Sequence, residues 1–270
     1  MDRRPIGVFD SGLGGLTAVR ELSRILPGED IVYFGDTGRV PYGSRSRETI
    51  IKYARQDVAF LRTFDLKAIV IACGTVSTTA LEALRAENDL PILGVVDPAA
   101  RAAARATRSG RIGLIGTQAS IRTGAYERAL AALRPGCEVM ARACPLFVPL
   151  VENGRFRPGD AVAELVTAEY LSPLREAGVD TLVLGCTHYP LLTDVIRAYM
   201  GPGVALINVG EACAGQVAED LRAADALADR DRGRRQYFVS DSVDDFARLA
   251  SIFLGEDVEG HVEQVDITRY

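Results

Sequence analysis

The sequence predicts an α/β protein built on buried, mainly parallel sheets. Three observations carry that expectation. Short, fully apolar runs alternate with amphipathic stretches along most of the 270 residues, the pattern of parallel strands covered on both faces by helices. The composition, 48% hydrophobic and 25% charged, is that of a globular chain able to bury a sizeable core. Two pairs of segments also recur at similar offsets, which suggests two related halves.

In chain order, strands are expected at Ile6–Phe9, Ile31–Phe34, Ala68–Ala72, Pro91–Val95, Arg111–Ile115, Glu138–Ala141, Thr181–Leu184, Val204–Ile207 and Gln236–Val239. Between them, amphipathic patterns predict helices over Leu16–Leu26, Arg47–Phe64, Val76–Ala86, Ala119–Leu133, Ala161–Ala177 and Gly215–Ala228. Such a layout aims the strand ends at a crevice.

Composition also excludes. Lys and Arg number 31 against 36 Asp and Glu, a net charge of −5 with no basic surface for nucleic acid. The charge-rich run Arg230–Arg235 is sign-mixed and reads as a solvated loop. The longest apolar run, near Ile69 to Ala72, is too short to span a bilayer, so no membrane association is expected. Met1-Asp2-Arg3-Arg4-Pro5 has no apolar signal core, and the cytoplasm is the expected compartment. The five cysteines, Cys73, Cys137, Cys144, Cys186 and Cys213, are then reduced. Their odd number and the lack of C-x-x-C spacing argue against a disulfide framework and a structural zinc site.

Two of these cysteines stand out by context. Ile69-Val70-Ile71-Ala72-Cys73-Gly74-Thr75 resembles Leu182-Val183-Leu184-Gly185-Cys186-Thr187-His188: a buried strand, a cysteine, then a helix start. Ile6-Gly7-Val8-Phe9-Asp10-Ser11 likewise resembles Ile112-Gly113-Leu114-Ile115-Gly116-Thr117. A cysteine after an apolar strand is most often a small buried hydrophobe, and Cys137, Cys144 and Cys213 are read that way. Cys73 and Cys186 sit instead where α/β folds place ligands, at helix starts whose free N–H groups favour thiolate. A Cys186–His188 nucleophile pair is one reading, but it leaves Cys73 idle. Metal binding lacks a third or fourth ligand. Removing a proton from one face of a carbon and returning it to the other does require two opposed groups, and thiols near pKa 8.5 can be tuned to serve. The pair points to a racemase or epimerase.

Asp10-Ser11-Gly12-Leu13-Gly14-Gly15-Leu16, Asp36, Pro41-Tyr42-Gly43, Ala72-Cys73-x-Thr75 and Leu184-Gly185-Cys186-Thr187-His188-Tyr189-Pro190 resemble, in order and spacing, the motifs of glutamate racemases. These belong to the cofactor-independent aspartate/glutamate racemase superfamily, and the resemblance runs from about Pro5 to Leu254. It implies two pseudosymmetric α/β domains with mainly parallel sheets facing a central cleft. The first would be residues 1–96 with 210–270, carrying Asp10 and Cys73. The second would be 97–209, carrying Glu152, Cys186 and His188. The resemblance further implies that Cys73 deprotonates D-glutamate and Cys186 L-glutamate. Asp10 would assist Cys73, and His188 and Glu152 would assist Cys186. Substrate contacts would come from Asp10, Ser11, Tyr42, Gly43, Gly74, Thr75, Thr187 and His188. No cofactor and no metal are expected. The expected partner is glutamate, its D form destined for peptidoglycan, with association into a homodimer left open.

The chain departs from the family at three places. Gly74 stands where an Asn is usual, Asp97 where a Glu precedes Pro, and Asn208-Val209 where Asp-Ser is frequent. Restoring the amide with Gly74→Asn is expected to improve glutamate affinity or leave it undamaged. Alternatives are a racemase of aspartate or another acidic amino acid, and a catalytically weak binding protein on the same fold. A dinucleotide-binding protein, suggested by Gly12-x-Gly14 and Asp36, lacks the third glycine, where Thr17 stands.

Overall fold

The computed structural model describes residues 1–255, 257–258 and 262–270; His261 lies outside the described residues. The strands are β1 Ile6–Asp10, β2 Ile31–Gly35, β3 Ala68–Ile71, β4 Ile92–Gly94, β5 Arg111–Gly116, β6 Glu138–Ala143, β7 Thr181–Leu184, β8 Ala205–Asn208, β9 Arg235–Val239 and β10 Val262–Gln264. They form a six-stranded sheet, β10-β9-β2-β1-β3-β4, and a four-stranded sheet, β6-β5-β7-β8. Every strand pairing within both sheets is parallel. β1, β2, β3 and β7 are buried at every residue, because helices cover both faces of a parallel sheet. Alternate side chains serve the two faces: Ile69 and Ile71 join one apolar cluster, Val70 and Ala72 the other.

The run β2-β1-β3-β4 winds in the same order as β6-β5-β7-β8, so β5 corresponds to β1 and β7 to β3. The recurring sequence segments fall on those corresponding strands. The fold is thus the pseudosymmetric, parallel α/β arrangement expected. The chain passes from the first sheet to the second through helix Val96–Ala106 and returns through helix Val209–Ala223. That returning helix packs against both Val96–Ala106 and Leu16–Ile25.

The nine expected strands are present within a residue or two at each end. Several helices differ, for local reasons. The pattern over 76–86 is two helices, Gly74–Thr79 and Leu81–Glu87. Ser77 and Thr78 spend their hydroxyls on nearby backbone, Ser77 donating to the Ile71 carbonyl at 3.1 Å and Thr78 to the Gly74 carbonyl at 2.9 Å, which weakens continuation. The pattern over 119–133 breaks into Gln118–Arg122 and Ala125–Leu133, because Gly124 adopts a left-handed conformation, φ 62°. The late helix begins at Val209 rather than Gly215, since Asn208 caps it by accepting from Gly210 and Glu211 N–H. Asn and Asp cap about equally well, so this departure from the family is conservative in its structural role. Asp97 lies in the first turn of Val96–Ala106, half-exposed and 3.8 Å from Arg85. No described helix is long and apolar enough to cross a membrane.

Candidate active site

A cavity of about 460 Å³ lies between the sheets. It is lined by the residues that follow β1, β2 and β3 and by those that follow the corresponding β5, β6 and β7. All eleven residues singled out from the sequence line it: Asp10, Ser11, Tyr42, Gly43, Cys73, Gly74, Thr75, Glu152, Cys186, Thr187 and His188. None of the described lining residues is Lys or Arg. Cys73 and Cys186, both unpaired and buried, are delivered by the two different sheets.

The surroundings of the thiols differ. Cys73 caps helix Gly74–Thr79, its sulfur accepting from Val76 N–H at 3.5 Å and lying 3.2 Å from Ser11 Oγ. Burial pushes the Cys73 thiol up to about 12, and the nearby Asp10 carboxylate adds to the rise. Asp10 is itself pushed up by burial, against the charge of His188 and hydrogen bonds from Gly15, Gly12 and Cys73. Cys73 is therefore held as a thiol, with the Asp10 side chain beside it.

On the other side, Cys186 Sγ lies 3.9 Å from His188 Nδ1, and His188 Nε2 is 2.9 Å from Glu152 Oε1. Glu152 is the last residue of helix Phe147–Glu152, which turns the carboxylate back over the histidine. Burial lowers the His188 pKa, but its bonds to Cys186 and Glu152 outweigh burial and raise it to about 10. His188 is a cation at neutral pH. Because this folded value exceeds the ordinary 6.5, the stabilisation is complete below about pH 6.5 and is lost as pH rises through about 10. Thermal unfolding followed from pH 6 to 10 is expected to show a falling Tm, and Glu152→Gln to flatten the fall. An unchanged slope in Glu152→Gln would place the pH dependence elsewhere.

Tyr42 lines the cavity, but its hydroxyl donates to buried Asp36. Arg39 joins the same cluster, donating to Asp36 at 2.6 Å and to Asp57 at 2.9 Å, while Ser240 donates to Asp36 at 2.7 Å. Burial and the Asp36 charge raise the Asp57 pKa well above the usual carboxylate range. This polar network fixes the loop that presents Val40–Ser44 to the cavity, so Tyr42 offers its ring and backbone rather than a free hydroxyl proton.

The two halves meet closely at the cavity. Thr75 Oγ1 and Thr117 Oγ1 are 3.0 Å apart, and Thr17 donates to the Thr187 carbonyl at 2.8 Å. A Cβ on Gly14 would overlap His188 Nδ1 and Thr187 Oγ1, so only glycine allows this loop against the histidine. At Gly74 a Cβ would overlap the Gly185 carbonyl oxygen. That corrects the expectation for Gly74→Asn: the missing amide coincides with a backbone approach between the ends of β3 and β7, and an asparagine there forces the halves apart.

Sequence reasoning missed part of the wall. Thr117 and Gln118 line the cavity, as do Pro145, Val148 and Pro149 on the turn and helix after β6. Thr117 had a signal, because the repeat aligns it with Ser11. The prolines and Val148 had none.

A family profile described as Asp/Glu/Hydantoin racemase matches residues 6–217. The chain is 50% identical to a glutamate racemase of Geobacter metallireducens over 268 residues, 99% of this chain and 98% of that one. Glutamate racemase isoform RacE1 from Bacillus anthracis superposes with a TM-score of 0.94 at 40% identity, covering 98% of each chain. The Francisella tularensis glutamate racemase solved with D-glutamate superposes with a TM-score of 0.91 at 35% identity, covering 100% of both. Likeness of this extent, in sequence and in the course of the whole chain, makes the protein a member of the Asp/Glu/hydantoin racemase family.

Proposed function

We propose that the protein interconverts L- and D-glutamate by two-base proton transfer at the α-carbon, and that the D-glutamate supplies peptidoglycan. The observation that carries this reading is the pair of free thiols, brought from corresponding strands of two sheets to one cavity. On this reading the domains are residues 1–96 with 210–270, and 97–209, their crossings falling in the two connecting helices. The cytoplasm, where thiols stay reduced, is the compartment that suits the chemistry.

In the L to D direction Cys186, as thiolate, takes the α-proton from one face, and the Cys73 S–H gives a proton to the other. Burial keeps Cys73 protonated, as this direction requires. In the reverse direction the roles exchange. Cys73 must first lose its proton, and Asp10 is the group placed to accept it; the His188 cation, held by Glu152, instead faces Cys186 and favours its thiolate form. The substrate carboxylates find no arginine clamp. They are received by the hydroxyls of Ser11, Thr75, Thr117 and Thr187 and by backbone N–H groups at Gly43 and Gly74. Charge developing beside the α-carbon is stabilised by the same fixed dipoles, each well-placed donor contributing about 3 kcal/mol in a site closed to water.

Pure L-glutamate is expected to lose its optical rotation on adding enzyme dialysed against chelator, with no pyridoxal phosphate, metal or nucleotide supplied. A strict requirement for an added cofactor would overturn the mechanism. Faster loss of rotation from L-aspartate than from L-glutamate would overturn the substrate.

A further inference from the structure

Three hydroxyls form a chain that crosses from one half of the molecule to the other. Thr75 Oγ1, at the end of β3, is 3.0 Å from Thr117 Oγ1, which follows β5, and Thr117 Oγ1 is 3.0 Å from Ser120 Oγ. Thr75 and Thr117 line the active cavity. Ser120, buried in helix Gln118–Arg122, is not on its wall. A chain of hydroxyls can be polarised in either direction, and the direction decides which end has a proton to offer.

Counting protons and lone pairs fixes the direction. A hydroxyl has one proton and two lone pairs. Thr117 caps the helix, so one lone pair of its Oγ1 is taken by the Ser120 N–H at 3.2 Å. It can accept from one neighbouring hydroxyl only, and it donates to the other. Among the described residues Thr117 is the one partner of Ser120 Oγ. If Thr117 donated to Ser120, the Ser120 proton would be buried with no acceptor, a cost that the opposite polarity avoids. Ser120 therefore donates to Thr117 and Thr117 to Thr75, which leaves the Thr75 proton for the cavity. We propose that Ser120 is a positioning residue for the substrate: acting through Thr117, it holds Thr75 as a donor to a substrate carboxylate. Without the Ser120 hydroxyl, Thr75 is free to turn its proton onto Thr117 and to present only lone pairs, which repel a carboxylate. The direction of each donor matters in a cavity whose described lining residues include no Lys or Arg. This assignment deepens the racemase reading and rests on it.

The test compares Ser120→Ala with Ser120→Thr, which keeps the hydroxyl. Glutarate, a dicarboxylate with no amino group and no stereocentre, is titrated by calorimetry into the full chain and reads carboxylate binding apart from turnover. Ser120→Ala is expected to weaken glutarate about fivefold, the equivalent of one neutral hydrogen bond, and to raise the KM for both glutamate enantiomers by the same factor. Its kcat stays at the parent value, because the carboxylate is charged throughout turnover and the loss falls equally on bound substrate and transition state. Ser120→Thr is expected to restore the glutarate affinity and the KM. Parent-like binding and KM in Ser120→Ala would overturn the role of Ser120. So would a loss confined to kcat, or one that threonine does not restore, either of which would make the residue a packing element. A parent chain that binds glutarate but leaves glutamate unracemised would overturn the racemase reading alone, and the glutarate affinities would still decide the role of Ser120. A parent chain that binds no glutarate would overturn carboxylate binding at Thr75, and the role of Ser120 with it.

Discussion

Replacing Cys73 or Cys186 with alanine is expected to abolish net racemisation of glutamate, lowering kcat/KM by about 10³-fold or more. Each thiol faces the cavity from its own sheet, so a proton removed by one has no donor on the far side once the other is gone. The two losses do not add, because the pair acts as a unit. The variants differ in what they keep. Cys73→Ala retains the base that works with His188 and Glu152, and any solvent exchange of the α-proton is confined to L-glutamate. Cys186→Ala retains the base that works with Asp10 and Ser11, and exchange is confined to D-glutamate. Substantial racemisation by either variant would refute the two-base mechanism.

The second large effect lies at Gly74. Because an added Cβ meets the Gly185 carbonyl, Gly74→Asn and Gly74→Ala both push the strand end carrying Cys73 away from the one carrying Cys186. Overpacking of this kind costs about 1–3 kcal/mol of stability. Displacing a catalytic group by an ångström costs about 10²-fold in rate. Kinetics of the two variants should therefore show kcat/KM down by about 10²-fold, with asparagine no better than alanine. Parent-like activity in Gly74→Asn would show that the halves separate freely at this contact, and that the missing amide can be restored without cost.

The strands were legible because a parallel strand buried on both faces is a continuous apolar run, and little else in a globular chain looks like one. β10 was not, being the short edge segment Val262–Gln264 with polar, exposed Glu263 and Gln264. Helix Val96–Ala106 was hidden by Asp97-Pro98, which reads as a boundary although proline is tolerated in a first turn. The site was legible where chemistry repeats, at Cys73 and Cys186 and at Ser11, which aligns with Thr117; Asp10 aligns with Gly116 and is named through the family resemblance. What sequence left out depends on approach in space: the Gly74–Gly185 and Gly14–His188 contacts, the wall of Pro145 and Pro149, and the diversion of the Tyr42 hydroxyl to Asp36.

Removal of the α-proton by one thiol and delivery of a different proton by the other is tested most directly in deuterium oxide. Starting from L-glutamate, with no cofactor added, the α-position of each enantiomer is followed by proton NMR after chiral separation during the first turnovers. D-glutamate should carry deuterium from the outset, while the remaining L-glutamate keeps its proton. D-glutamate that retains the original proton would mean that one base carries it from face to face, and would contradict the assignment of Cys73 and Cys186 to opposite faces.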